Sequence, residues 1–336
     1  MRKVIVFAMA LTFLTVPFAF SEGQAEFPQR DITDVVVWSA GGGTDTCNRV
    51  AAGAMQEFLG VNINVINKPG GVGGSLGMQF VYDKEHDGYT ICGLSESCVT
   101  AGVQGGWDQR MNVWSFFIVG GSPDVVSVTP DAPYETLEEL INAAKSNPGS
   151  IKAGASAAGS IHHLNLLALQ DGTGAEFNFI PYTGSAPSQN AAMAGEISVV
   201  VTSLAEQQQL LRGGNLRPLA MLIPDSYNVA DVGEIPSAFD PFPQLSDYLP
   251  ISQAIGMAVP KDVPEDRKTV LQDAFKQAMN TDEVKNWAEK NYYVISGKVG
   301  EEANEEFNRL ESLFAWTLWD LGAAKVNPSE LGIPKP

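Results

Sequence analysis

The sequence predicts an α/β protein of two domains, each a mostly parallel sheet flanked by helices. Two observations carry this. A strand-like run, a loop of small residues and a helix-like segment recur in that order in both halves of the chain. The length of 336 residues exceeds one ordinary core and suits two. With 44% hydrophobic and 18% charged residues, the composition is that of a folded chain, not a disordered one.

The first segment concerns destination. Arg2 and Lys3 precede an apolar run at 4–16 that is too short for a comfortable membrane span, and small residues Ala19 and Ser21 follow. This pattern predicts a signal peptide at 1–21, cleaved after Ser21, and a soluble periplasmic or otherwise extracytoplasmic product. No cysteine stands where a lipid anchor would need one. Cleavage removes two cations and no acid, taking the formal charge from −18 to −20. So acidic a surface excludes nucleic acid and anionic membrane as partners, and any anionic ligand must be held by local dipoles.

Past the signal, the valines at 35–37 predict a strand that ends in glycines, and 48–59 has helical periodicity with Val50, Ala54 and Phe58 on one face. Residues 61–66 alternate as a second strand. KPGGVGG at 68–74 breaks the chain before a helix at 75–82, and 89–94 is a third strand. A helix at 135–145, with its apolar periodicity at 137–144, leads to the second series. There the strands fall at 151–155, 177–182, 197–201 and 216–222, and the helices follow SAAGS (156–160), TGSAP (183–187) and residue 203. The Pro-, Asp- and Ser-rich stretch 224–250 predicts an irregular surface loop. A strand at 251–259, helical segments from Pro264 through Trp287, and an amphipathic helix at 301–321 complete the chain. Domain 1 is expected at 24–124 and 253–336 and domain 2 at 125–252, with hinge strands near 125–128 and 255–259.

The loop SAGGGTD, 39–45, joins a strand end to a helix start. Glycines let the backbone approach a ligand closely, and the first N–H groups of the following helix lack intrahelical partners. Together they suit an anion. The loop has no further glycine to complete a dinucleotide fingerprint and no lysine for a Walker loop, and Asp45 would repel a polyphosphate. A small carboxylate fits better. SAAGS and TGSAP add backbone donors with the hydroxyls of Ser156, Ser160, Thr183 and Ser185 and the Tyr182 phenol. In such folds, ligands sit beyond strand carboxyl ends, and facing domains would bring the loops to one cleft.

Six stretches in order, SAGGGTD, NKPGGVGG, DGYTI, PGSIKAGASAAGSIHHL, PYTGSAPSQNAAMAGEIS and GNLRPLAML, span nearly the whole mature chain. In these the sequence resembles the extracytoplasmic substrate-binding proteins of the tripartite tricarboxylate transporter family. The resemblance implies a two-domain, type II-like periplasmic-binding-protein (Venus flytrap) fold. It also implies capture of a small organic carboxylate, a di- or tricarboxylate or an amino acid, and delivery to a membrane permease. A monomer without cofactor or metal is expected. By the same resemblance Ser39, Ala40, Gly41, Gly42, Gly43, Thr44 and Asp45 hold one carboxylate. Ser156, Gly159 and Ser160 face them, Tyr182, Thr183 and Gly184 form a further donor group, and Thr202 and Ser203 line the far side. His163 matches a frequent helix histidine expected to pack or cap.

Two departures bear on the ligand. Glu96, in GLSESC, stands where the family has small or hydroxylated residues; it either points to solvent or meets a ligand ammonium. Trp38 replaces a proline or small residue and could narrow the pocket. Cys47, Cys92 and Cys98 leave at least one thiol unpaired within the chain, and the Cys92–Cys98 spacing does not decide a disulfide. Catalysis is not expected: of His86, His162 and His163, none follows a nucleophile elbow, and adjacent histidines on a helix make a poor metal pair. A sensor reporting to a signalling partner would share the same fold.

Overall fold

The computed structural model describes residues 27–247 and 253–336; the signal expected at 1–21 lies outside them. The chain begins with β1 (Ile32–Val36), α1 (Gly43–Leu59), β2 (Ile63–Asn67), α2 (Ser75–Tyr82) and β3 (Thr90–Ser95). β1 pairs parallel with both β2 and β3. Val35 and Val36 are fully buried, as a continuous valine run requires when helices cover both faces of a sheet. β4 (Trp114–Gly121) ends this series, and the chain crosses to a second sheet at β5 (Asp124–Val128).

The second series is α3 (Leu137–Ser146), β6 (Lys152–Gly154), α4 (Ile161–Thr173), β7 (Asn178–Ile180), α5 (Ser185–Met193), β8 (Val199–Ser203), α6 (Leu204–Arg212) and β9 (Arg217–Met221). A hairpin follows, β10 (Tyr227–Val229) and β11 (Gly233–Ile235). The chain then returns through β12 (Ile255–Pro260), α7 (Glu265–Met279), α8 (Asp282–Lys290), β13 (Val294–Val299) and α9 (Gly300–Asp320).

Strand order is β13-β4-β12-β3-β1-β2 in the first sheet and β7-β6-β8-β5-β9 in the second. The expectation of mostly parallel sheets needs correction. β12 runs antiparallel to β3 and β4, β13 antiparallel to β4, and β5 antiparallel to β8 and β9. A parallel neighbour needs a crossover helix, and β5 and β12 enter their sheets directly from the other half of the molecule. A second correction concerns 224–250, read as irregular. It contains the antiparallel β10–β11 pair, held because Val229 and Ile235 are buried against the second core. α1 also starts at Gly43, five residues before the apolar periodicity becomes visible.

Each sheet has helices on both faces. In the first, Cys47, Ala51 and Met55 of α1 pack with Leu271 and Phe275 of α7 on one side. On the other, Phe307 of α9 stacks on Phe116 with ring centroids 3.9 Å apart. The two passages between sheets lie side by side. Ser122 N–H donates to Gln253 Oε1 at 2.9 Å, and a Cβ on Gly121 would stand 2.3 Å from the Gln253 carbonyl oxygen. Among the described residues no helix is long and apolar enough to cross a membrane.

Candidate functional site

The chain between β1 and α1 turns at Gly41, whose φ of +82° favours glycine. Gly42 is the N-cap of α1 and offers no side chain, so the first-turn amides of the helix are left to other partners. Asp45 does not face them as a repulsive charge. Its carboxylate accepts from Gly41 N–H at 2.9 Å and Asn67 Nδ2 at 2.8 Å, and pairs with Arg49 at 2.9 Å. Although burial works against ionisation, these partners hold its carboxyl below the ordinary value. Asp45 therefore braces the loop.

The second sheet brings its own helix starts to this loop. Gly184 is the N-cap of α5, and a Cβ there would stand 3.2 Å from Ser39 Cβ and 3.3 Å from Ser39 N. The contact is closed by the hydroxyls of Ser39 and Thr183, 3.0 Å apart. Nearby, Ile161 N–H at the start of α4 donates to Ser97 Oγ at 2.8 Å, and Thr100 Oγ1 donates to the Gly159 carbonyl at 2.7 Å. The halves thus line a polar cavity that is partly open to solvent.

Two buried carboxyl groups line that cavity. Glu96 is 1% exposed, which removes the solvent-facing alternative. It accepts from Ala254 N–H at 2.6 Å and from Ser97 Oγ at 2.8 Å, tying β3 to the return passage between the sheets. Burial raises its pKa despite these donors. Glu206 lies on α6, where Ser203 and Glu206 form a capping box. Its other oxygen leaves the second half altogether and accepts from Gly43 N–H of α1 at 2.7 Å. His162 Nε2 stands 3.3 Å from Glu206, while its Nδ1 meets Asp124 at 2.8 Å. Asn165 Nδ2 also donates to Asp124, at 2.7 Å. Burial would neutralise both partners, yet the His162 charge holds Glu206 down to about 2, and Asp124 with Glu206 keep His162 well above the ordinary histidine value.

Of the residues expected at the site, Ser39, Gly42, Gly43, Thr44, Glu96, Ser156 and Gly184 line the cavity. Apart from Ser185, the others are not among its lining residues. Ser160 and Ser203 spend their hydroxyls capping α4 and α6, and Thr202 Oγ1 accepts from Gln189 at 3.0 Å inside β8. Gly159 N–H donates to His163 Nδ1 at 3.0 Å. Ala40 is exposed, and Tyr182 packs beside Gly154. His163 stacks on Phe179 at 4.0 Å, and burial lowers its pKa to about 4. Trp38 lines the cavity, its indole N–H donating to Ser95 Oγ at 3.2 Å. Ser185, expected as a hydroxyl donor, lines the cavity too, and the cavity residues that sequence reasoning missed are Ser95, Ser97, His162, Glu206 and Gln253. Only Glu206 carried a local signal, the Ser-x-x-Glu spacing of a capping box, and that signal points to a helix start rather than to a cleft. All three cysteines are buried and free.

Two α/β halves, joined by paired passages around a polar cavity, define a two-domain binding-protein fold. The sequence profile of TctC, the tripartite tricarboxylate transporter family receptor, matches residues 47–300, and the chain belongs to that family. A UPF0065 protein from the gbd 5′ region of Cupriavidus necator is 30% identical over 267 residues, 77% of this chain and 78% of that one. An R. palustris protein solved with adipate superposes with a TM-score of 0.78 at 22% identity, over 89% of this chain and 99% of its own. MatC from Rhodopseudomonas palustris with bound malate gives 0.75 at 20% identity, over 87% and 100%. These two structures speak for the fold, which with the family is that of substrate-binding receptors and implies an extracytoplasmic location.

Proposed function

We propose that this chain is the extracytoplasmic binding component of a tripartite tricarboxylate-type transporter. In this reading its two sheets are the cores of two domains, 24–124 with 253–336 and 125–252, that close on a small organic carboxylate and deliver it to a membrane permease. The observation that carries the proposal is the meeting of two helix N-termini from opposite halves, α1 at Gly42–Thr44 and α5 at Gly184–Ser185, on one polar cavity. Each helix start carries roughly half a positive charge and first-turn amides without intrahelical partners, of which Gly43 N–H already meets Glu206. The Thr44, Ser156 and Ser185 residues line the same cavity and add hydroxyls.

In the open form the α1 amides receive the carboxylate. Closure adds the donors of Ser156, Gly184 and Ser185, and that gain in contact is what shifts the population to the closed form. The bound neighbours, adipate in one protein and malate in another, are of the same chemistry. A thermal-shift screen of refolded, ligand-free protein tests the proposal with carboxylates, amino acids, sugars and nucleotides. A solute at about a hundred times its Kd stabilises the fold by about 2.7 kcal/mol. Shifts with carboxylate-bearing solutes are expected; shifts with sugars or nucleotides alone would overturn it.

A further inference from the structure

We propose that the cavity takes a solute bearing a single carboxylate and discriminates against di- and tricarboxylates, because Glu206 itself supplies a second carboxylate to the start of α1. This inference rests on the carboxylate-receptor reading above and narrows its substrate class.

The geometry first shows a seat already shared. Gly43 N–H, one of the first-turn amides of α1, donates to Glu206 Oε1 at 2.7 Å. Glu206 cannot swing aside cheaply. Its second oxygen accepts from Ser203 Oγ at 2.7 Å and Ser203 N–H at 3.1 Å, and faces His162. The side chain is nearly fully buried and held from four directions, so the charge stays at the cavity when a solute arrives.

The second observation is what the lining lacks. Among the described residues, neither lysine nor arginine lines the cavity. Its one cationic side chain, His162, has both ring nitrogens engaged, by Asp124 and by Glu206. Arg49 is committed to Asp45 and Asn67 on the far side of the loop. Asp124, Glu206 and protonated His162 together leave one negative charge, which leans on the α1 N-terminus. The α5 N-terminus, the remaining α1 amides and the hydroxyls of Thr44, Ser156 and Ser185 are the donors left for one incoming carboxylate. A second would lie in a desolvated space against the Glu206 charge with no counter-charge, where a like-charge contact is costly. Glu96 adds to this exclusion: three donors fix it, and burial resists its ionisation, so it offers no positive partner in either protonation state.

Calorimetric titration with solute pairs differing only in the second carboxylate tests the proposal: hexanoate against adipate, and 2-hydroxybutanoate against malate. The proteins are wild type, Glu206→Gln and Glu96→Gln. Glutamine keeps the volume and a carbonyl that can accept from Gly43, and the Glu96 variant serves should the Glu206 variant not fold. Wild type is expected to bind the monocarboxylate of a pair at least tenfold more tightly. Glu206→Gln is expected to move that ratio at least tenfold toward the dicarboxylate, and Glu96→Gln to move it the same way by a smaller factor. Dicarboxylates binding wild type as tightly as their partners would overturn this inference and leave the carboxylate reading standing. Binding of none of the four, together with shifts by solutes without a carboxylate, would overturn both.

Discussion

Replacing Gly184 with alanine acts on closure alone, which makes it the sharpest probe of the mechanism. The three atoms nearest a Cβ at this position are Ser39 Cβ at 3.2 Å and Ser39 N and Oγ at 3.3 Å. All belong to the opposite half of the molecule, so the added methyl group meets them only when the halves are together. Ser39 has little room to yield, since its hydroxyl also donates to the Thr183 carbonyl at 3.1 Å. Overpacking of this kind costs about 1–3 kcal/mol. Charged to the closed state, it lowers solute affinity by about 5- to 150-fold. In the open state the exchange touches only a helix N-cap, worth under about 1 kcal/mol, or a few degrees in Tm at most. The assay is calorimetric titration with the solute that gives the largest thermal shift, alongside melting of the ligand-free variant. Undiminished affinity would refute closure through this contact. A collapse in ligand-free Tm would show that the close packing belongs to the fold itself.

Other perturbations test the buried charges. Asp124→Asn removes one side of the Asp124–His162–Glu206 cluster, and breaking a buried pair this way costs about 3–5 kcal/mol; urea unfolding should show that loss, and an unchanged midpoint would contradict the pairing. The same cluster sets a pH window. Glu206, held down to about 2, contributes stability that is full above the ordinary value of 4.5 and lost as pH falls toward 2. His162, raised well above 6.5, contributes stability that is full below 6.5 and lost as pH rises through its elevated value. Glu206→Gln should flatten both limbs of a plot of melting temperature against pH. Asp34 gives the opposite sign. Buried without a hydrogen-bond partner for either oxygen, its carboxyl is pushed up to about 8, so the folded state keeps a proton that the unfolded chain releases above 3.8. That term erodes stability as pH rises from about 4 to about 8, and Asp34→Asn should be more stable than wild type at pH 8; equal stability there would contradict the shift.

Much of the scaffold was legible because it rests on local signals. The valines of β1, the small-residue loops before α1, α4 and α5, and the amphipathic spacing of α9 each report a structure formed from neighbours in sequence. Strand direction was less legible. β5 and β12 reach their places through the passages between halves, and nothing in their residues encodes which way a non-local partner runs. At the site, the glycines and Ser156 were readable as donors. The partners of charged side chains were not. Asp45 looked like a cavity residue because it follows the glycines, yet Arg49 one turn later and Asn67 on β2 draw it outward. Glu206 looked like an ordinary capping residue, and its reach to Gly43 spans 163 positions. His162 and Asp124, 38 positions apart, become a pair only when α4 packs against β5. Side-chain pairing across the cleft is a tertiary property, and it is what distinguishes this cavity.

The central claim is that a carboxylate is held where α1 and α5 meet. A crystal structure of the protein grown with a monocarboxylate that passes the thermal-shift screen tests it most directly. Carboxylate oxygens are expected within hydrogen-bond reach, directly or through one water, of the Gly42–Thr44 turn and of Ser185, with Glu206 still on Gly43. A solute bound in the cleft with its carboxylate turned away from both helix starts would contradict it, as would one bound outside the cleft.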